Sequence, residues 1–136
     1  MKSDTIEFNA DLMRLAIPAG WSIVVNHFYD ADPVSKDGRW IDNWFEGFDF
    51  TTIHIKDTQQ ISTGWENSVT NSIIIDVSWT TPNYVGGTYR AKLQRLSPDK
   101  VYVDEEILET SDRFKIRDTI EYWMNNISEY RNRDFV

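Results

Sequence analysis

The strongest constraint on the fold is an alternation of apolar and polar residues that runs, with two short interruptions, from residue 72 to residue 108. In SIIIDVSW, Ile73, Ile75, Val77 and Trp79 fall on one face, and Asp76 and Ser78 on the other. In TYRAKLQRL, Tyr89, Ala91 and Leu93 oppose Arg90, Lys92 and Gln94. A period of two is that of a strand with one face buried. VYVDEEIL reads as a third strand. The first interruption, TPNYVGG, carries paired glycines suited to positive φ. The second, SPDK, fits a type I turn with Pro98 in its second position. Turns this short make consecutive strands antiparallel neighbours, so residues 72–108 are expected to form a meander.

Such a sheet needs cover on its apolar face, and the end of the chain supplies it. Phe114, Ile116, Ile120, Trp123, Met124 and Ile127 make one stripe of period 3.6, with Ser111 or Asp112 placed to cap the helix start. Upstream, WSIVVNHFY reads as a buried strand, with Ile23, Val25, His27 and Tyr29 facing one side and Val24, Asn26 and Phe28 the other. RWIDNWFEGFDF has the spacing of a short aromatic helix ended by Gly47. FTTIHIKD is a further strand with Ile53 and Ile55 inward and His54 on the polar face. TQQISTGWENSVTN is polar and unpatterned and reads as a loop. Residues 1–16 are compatible with a short strand or a helical turn around Leu12 and Leu15. The expected architecture is α+β and a single domain over residues 1–136: a mainly antiparallel sheet, a C-terminal helix across it and a short aromatic helix.

Composition narrows the function. The chain has no cysteine, which excludes a disulfide framework and a thiolate zinc site and suits a reducing compartment. MKSDTIEFNADLMRL is broken by Asp4, Glu7, Asp11 and Arg14, so it does not read as a signal peptide, and no stretch has the roughly 20 apolar residues of a membrane span. A soluble, cytoplasmic protein is expected. The net charge of −8 argues against binding nucleic acid directly, because that affinity comes largely from lysine and arginine replacing counterions. The same charge speeds encounter with a basic protein.

No catalytic motif is present. His27 and His54 lack a partner at metal-binding spacing, and there is no nucleophile elbow, P-loop or dinucleotide fingerprint. DADPVSKDG keeps two carboxylates of a calcium loop, Asp30 and Asp32, without its central glycine or terminal glutamate. No metal or cofactor is expected. What stands out is acid in two blocks. One holds Asp30, Asp32, Asp37, Asp42, Glu46 and Asp49, opposed by Lys36 and Arg39; the other, DEEILETSD, holds Asp104, Glu105, Glu106, Glu109 and Asp112 with no base. Both are interleaved with large side chains, among them Tyr29, Trp40, Trp44, Tyr102 and Ile107. Acids around aromatic anchors suit a basic protein partner, since anchors hold and charges steer. The plainer alternative is that the tryptophans belong to the core and the acids solvate the surface.

Several short motifs are similar to those of bacterial immunity proteins of contact-dependent growth inhibition and related polymorphic toxin systems. Ile17, Pro18 and Trp21 match an I-P-x-x-W start, and Asn26, Phe28, Asp32 and Pro33 an N-x-F-x-x-D-P segment. Ile75, Asp76 and Trp79 match I-D-x-x-W, and Gly87 and Tyr89 match G-x-Y. The resemblance implies a non-enzymatic protein that binds the toxic C-terminal domain of a cognate effector, usually a nuclease, and blocks its active site or substrate access. It brings no catalytic residues. The expected toxin contacts, Asp30, Asp32, Asp37, Asp42, Glu46, Asp104, Glu105, Glu106 and Glu109, rest on the charge blocks alone. Two other classes stay open: a small acidic hydrolase using Asp30 or Asp32 with His27, and a carbohydrate- or peptide-binding module built on exposed tryptophans.

Overall fold

The computed structural model of the chain describes residues 10–42, 48, 51–61, 64–67 and 72–135. Six strands and two helices follow one another: β1 (Trp21–Asn26), β2 (Thr51–Ile61), β3 (Gly64–Asn67), β4 (Ile73–Trp79), β5 (Tyr89–Leu96), β6 (Tyr102–Thr110), α1 (Arg113–Asn125) and α2 (Ser128–Arg131). The sheet is antiparallel in the order β1-β2-β4-β5-β6, with β3 paired to the far end of β2. This is the expected α+β architecture, and residues 72–108 do form its meander.

The alternation sets the faces. Ile73, Ile75, Val77 and Trp79 of β4, with Tyr89, Ala91 and Leu93 of β5, are all buried on one side. Helix α1 packs against β5 and β6 on that side, burying Ile116, Ile120, Trp123 and Met124. Each such side chain contributes about 1.5–3 kcal/mol on leaving water, so this stripe alone outweighs the helix's weak intrinsic stability. Asp112 caps it, accepting from the backbone N–H of Phe114 at 2.9 Å and of Lys115 at 3.3 Å. Phe114 departs from the expected stripe: it is 41% exposed, its ring lying beneath the guanidinium groups of Arg113 and Arg117 at 4.3 and 5.1 Å.

Four aromatic rings fill the core at the end of the sheet where β4 turns into β5. Trp79 stands edge-on to Phe48 at 5.1 Å and to Tyr89 at 4.9 Å, and Phe28 meets Tyr89 at 5.7 Å. The Trp79 indole donates to the carbonyl of Tyr84, and Gly87 lies against it so closely that a Cβ there would sit 2.8 Å from the ring's Cε2. The glycine pair therefore answers to close approach. Positive φ in this turn is carried by Asn83, at 56°. In the second turn the Lys100 N–H donates to the Ser97 carbonyl at 2.9 Å, as a type I turn led by Pro98 requires, and Lys100 takes the left-handed position at φ 67°.

Three expectations are corrected, and one left open is decided at Leu12. β1 is an edge strand rather than a buried one: Ile23 and Val24 are exposed, and a bulge between Ile23 and Val25 breaks the expected alternation. The polar stretch from residue 58 is strand wherever it is described, since β2 continues to Ile61 and pairs back with β3. Backbone pairing joins this arm, and its sequence carries no apolar period of two to mark it. Leu12 bridges Tyr29 in antiparallel fashion, with Met13 N–H on the Phe28 carbonyl at 2.7 Å, which makes the start of the chain strand-like at that point. The aromatic helix does not include Trp40, which bridges Tyr84; residues 43–47 and 49–50 of that expectation lie outside the described residues.

Candidate functional site, an aromatic platform at the loop end of the sheet

Three segments converge where the aromatic core ends. Trp79 pairs with Tyr89 and Tyr89 with Thr110, so the loop 80–88 and the start of α1 share one end of the sheet, and β1 delivers residues 27–42 to the same end.

The loops are locked to each other by backbone bonds. Ile41 N–H donates to the Asn83 carbonyl at 2.7 Å, and Val85 N–H to the Arg39 carbonyl at 2.8 Å. These two bonds flank Trp40 and Tyr84, which makes them a non-hydrogen-bonded cross-strand pair whose side chains share a face. Their rings meet edge-to-face, 6.5 Å apart at 75°. Trp40 is 52% exposed and Tyr84 39%. With Arg39 and Thr81 they line a shallow, open groove of about 510 Å3.

Asp37 holds the approach to this groove. One of its oxygens accepts from Arg39 N–H at 2.8 Å, Trp40 N–H at 2.9 Å and Ser35 Oγ at 2.9 Å. The Trp40 N–H, then that of Arg39, then the Ser35 hydroxyl keep its carboxyl below the usual carboxylate range. Asp42 closes the loop from the other side, accepting from Lys36 N–H at 2.6 Å while its own N–H donates to the Val34 carbonyl. The platform is thus built on fixed backbone.

The acidic blocks are placed differently from one another, and both meet bases. Asp30 and Asp32 share Arg113 at 2.9 and 2.7 Å, which fastens their loop to the start of α1. The second block lacks a base in its own segment, but β5 and the C-terminal segment supply them. Arg90 meets Glu109 at 2.6 Å, and Lys92 and Gln94 meet Asp104 at 3.7 and 2.8 Å. Arg95 meets Glu105 at 2.9 Å, and Arg133 lies 3.7 Å from Glu105 and 3.9 Å from Glu106. Glu109 stands at the platform end, while Glu106, Glu105 and Asp104 lie three to five residues toward the opposite end, about 10–17 Å away along the strand. Asp30, Asp32, Asp37, Asp42 and Glu109 therefore gather at one end, and Asp104, Glu105 and Glu106 do not. Glu46 is outside the described residues.

His54 takes the polar face as expected, its Nδ1 3.0 Å from Asp76. Among the described residues, no three histidine or carboxylate side chains cluster as metal ligands, and no helix is long and apolar enough to cross a membrane. Nothing in the charge pattern singles out Arg39, Thr81 or Tyr84. The available signal was a tyrosine held in a loop of proline, asparagine and glycine, where a buried role is not needed.

Comparison with known proteins places no relative beside this chain: no protein-family model, no curated protein and no solved structure matches it.

Proposed function

We propose that the chain is an immunity-type protein, a cytoplasmic, non-enzymatic inhibitor that binds the toxic C-terminal domain of a contact-dependent growth inhibition effector. The toxin in this reading is a basic nuclease, and binding bars its active site or its access to substrate. The observation that carries the reading is the platform: Arg39, Trp40 and Tyr84 side by side, accessible, and mounted on hydrogen-bonded backbone. Tryptophan, tyrosine and arginine are the residues that dominate binding energy at protein interfaces, and a preorganised mount lowers the entropic cost of association. The net charge of −8 adds long-range attraction for a basic partner. The internal ion pairs give most of the acids first proposed as contacts a folding role, so the anchor moves from the carboxylates to the aromatic pair.

The hydrolase reading has less support, because Asp30 and Asp32 each pair through one oxygen with Arg113. A carbohydrate- or peptide-binding module is favoured by one observation, the exposed Trp40 beside Tyr84; Trp79 is buried and cannot take part. Co-expression separates the readings. The chain should restore growth to bacteria that produce the toxic domain encoded beside its gene, and Trp40→Ala should abolish the rescue at equal protein level. Failure of the wild-type chain to rescue, with binding to glycans on an array, would favour the module.

A further inference from the structure

Two features of the platform specify what it accepts. The first is Arg39, which lines the groove with Trp40, Thr81 and Tyr84. A lysine or arginine laid into the groove against the rings would meet that like charge at close range. The second is Gly86. A Cβ built there would fall 2.7 Å from Cε1 and 3.1 Å from Cζ of Tyr84, and the three nearest atoms it would meet all belong to that side chain. Its φ lies outside the left-handed region. The backbone at residue 86 therefore tolerates alanine, and what an added methyl displaces is the Tyr84 ring.

We infer that the open groove lined by Trp40 and Tyr84 receives one uncharged apolar side chain, aliphatic or aromatic, from a basic protein partner, and that Gly86 sets the shape of that groove. The inference rests on the protein-binding reading above and deepens it by naming the group that enters. The partner's cations stay outside the groove, drawn by a chain whose net charge is −8. The aromatic walls supply the apolar contact, Thr81 a hydroxyl at the rim, and Arg39 the exclusion. Gly86 is a positioning residue: it touches no partner, and acts by leaving Tyr84 edge-on to Trp40.

The test needs no toxin, so its failure is separable from failure of the reading it rests on. The full chain, labelled with 15N, is titrated with N-acetyl-leucinamide, N-acetyl-phenylalaninamide and N-acetyl-argininamide while the tryptophan indole N–H signals are followed. The Trp40 signal is assigned by its loss in Trp40→Phe. The leucine or phenylalanine probe should move the Trp40 signal in a saturable way, at least tenfold more strongly than the arginine probe. Arg39→Ala should narrow that difference. Gly86→Ala should weaken the response about tenfold while the other indole signals keep their positions, which reports an intact fold. A stronger response to arginine, no response to any probe, or an unchanged response in a folded Gly86→Ala would overturn the inference.

Discussion

Glu105 shows how a residue that looks like free surface charge becomes structure. It is the extra residue of a bulge in β6, since Leu93 pairs with Glu106 and Gln94 with Asp104. The bulge turns its carboxylate onto Arg95, which follows the apolar Tyr89, Ala91 and Leu93 of β5 inward and is 3% exposed. The remaining Arg95 donors go to the carbonyls of Arg131 at 3.2 Å and Arg133 at 2.6 Å, with Phe135 stacked over the guanidinium at 3.8 Å. Removing one partner of a buried pair strands the other charge, at a cost of about 3–5 kcal/mol. Glu105→Ala should therefore lower the urea midpoint by that equivalent, whereas Glu106→Ala, whose base is 3.9 Å away on the surface, should shift it by under about 1 kcal/mol. Tyr89 gives a prediction in pH. Burial first, and then the Asp32 charge, raise its hydroxyl above the value of about 10 it has when unfolded. Its contribution is complete below pH 10 and is lost as pH rises beyond it, because the unfolded chain ionises first. Tyr89→Phe should flatten the alkaline fall in stability measured by thermal melting from pH 9 to 12.

The elements divide by what holds them. β4, β5 and α1 were legible in the sequence because each buries one regular face, and burial prints a period on the residues. β1 was misread as interior because Ile23 and Val24 are apolar, yet a bulge and an edge position leave both in solvent. The β2–β3 arm is not legible because its pairing is carried on the backbone and its residues show no apolar alternation. The platform is half legible: Trp40 reads as a possible anchor, but its partner arrives from a loop more than forty residues on, by backbone bonds that no side-chain pattern records. Charge was legible in amount and not in use, since Arg90, Lys92 and Arg95 reach the second acidic block only across the β5–β6 register. The C-terminal segment follows the same logic. Apart from Tyr130 and Phe135 it is fastened by ions, chiefly Arg131 on the buried Asp57 at 2.8 Å, whose other oxygen accepts from Ile73 N–H. Asp57→Asn should loosen α2 ahead of global unfolding, seen as faster tryptic cleavage after Arg131 with the amides of β4 and β5 still protected from exchange.

At the scale of the molecule, an antiparallel sheet with one face covered by α1 carries its aromatic core to one end and continues it outward as the Trp40–Tyr84 pair. The ion pairs that consume the acidic blocks leave the net charge of −8 untouched, so steering and anchoring separate. Steering is a property of the whole field and screens over about 10 Å at 0.1 M salt. Raising salt from 50 to 500 mM should slow association with a basic toxin domain by roughly tenfold or more, while changing dissociation little. Anchoring is local, and its loss appears in dissociation.

The central claim is that the chain acts by holding a protein partner at this platform. Surface plasmon resonance of the wild type and Trp40→Ala, against the toxic domain that the chain neutralises in co-expression, addresses it directly. The account predicts a 1:1 complex in which Trp40→Ala weakens affinity about 30- to 1,000-fold, the equivalent of roughly 2–4 kcal/mol for a central aromatic anchor, almost all of it in the dissociation rate. A folded Trp40→Ala that binds as tightly as the wild type would contradict it.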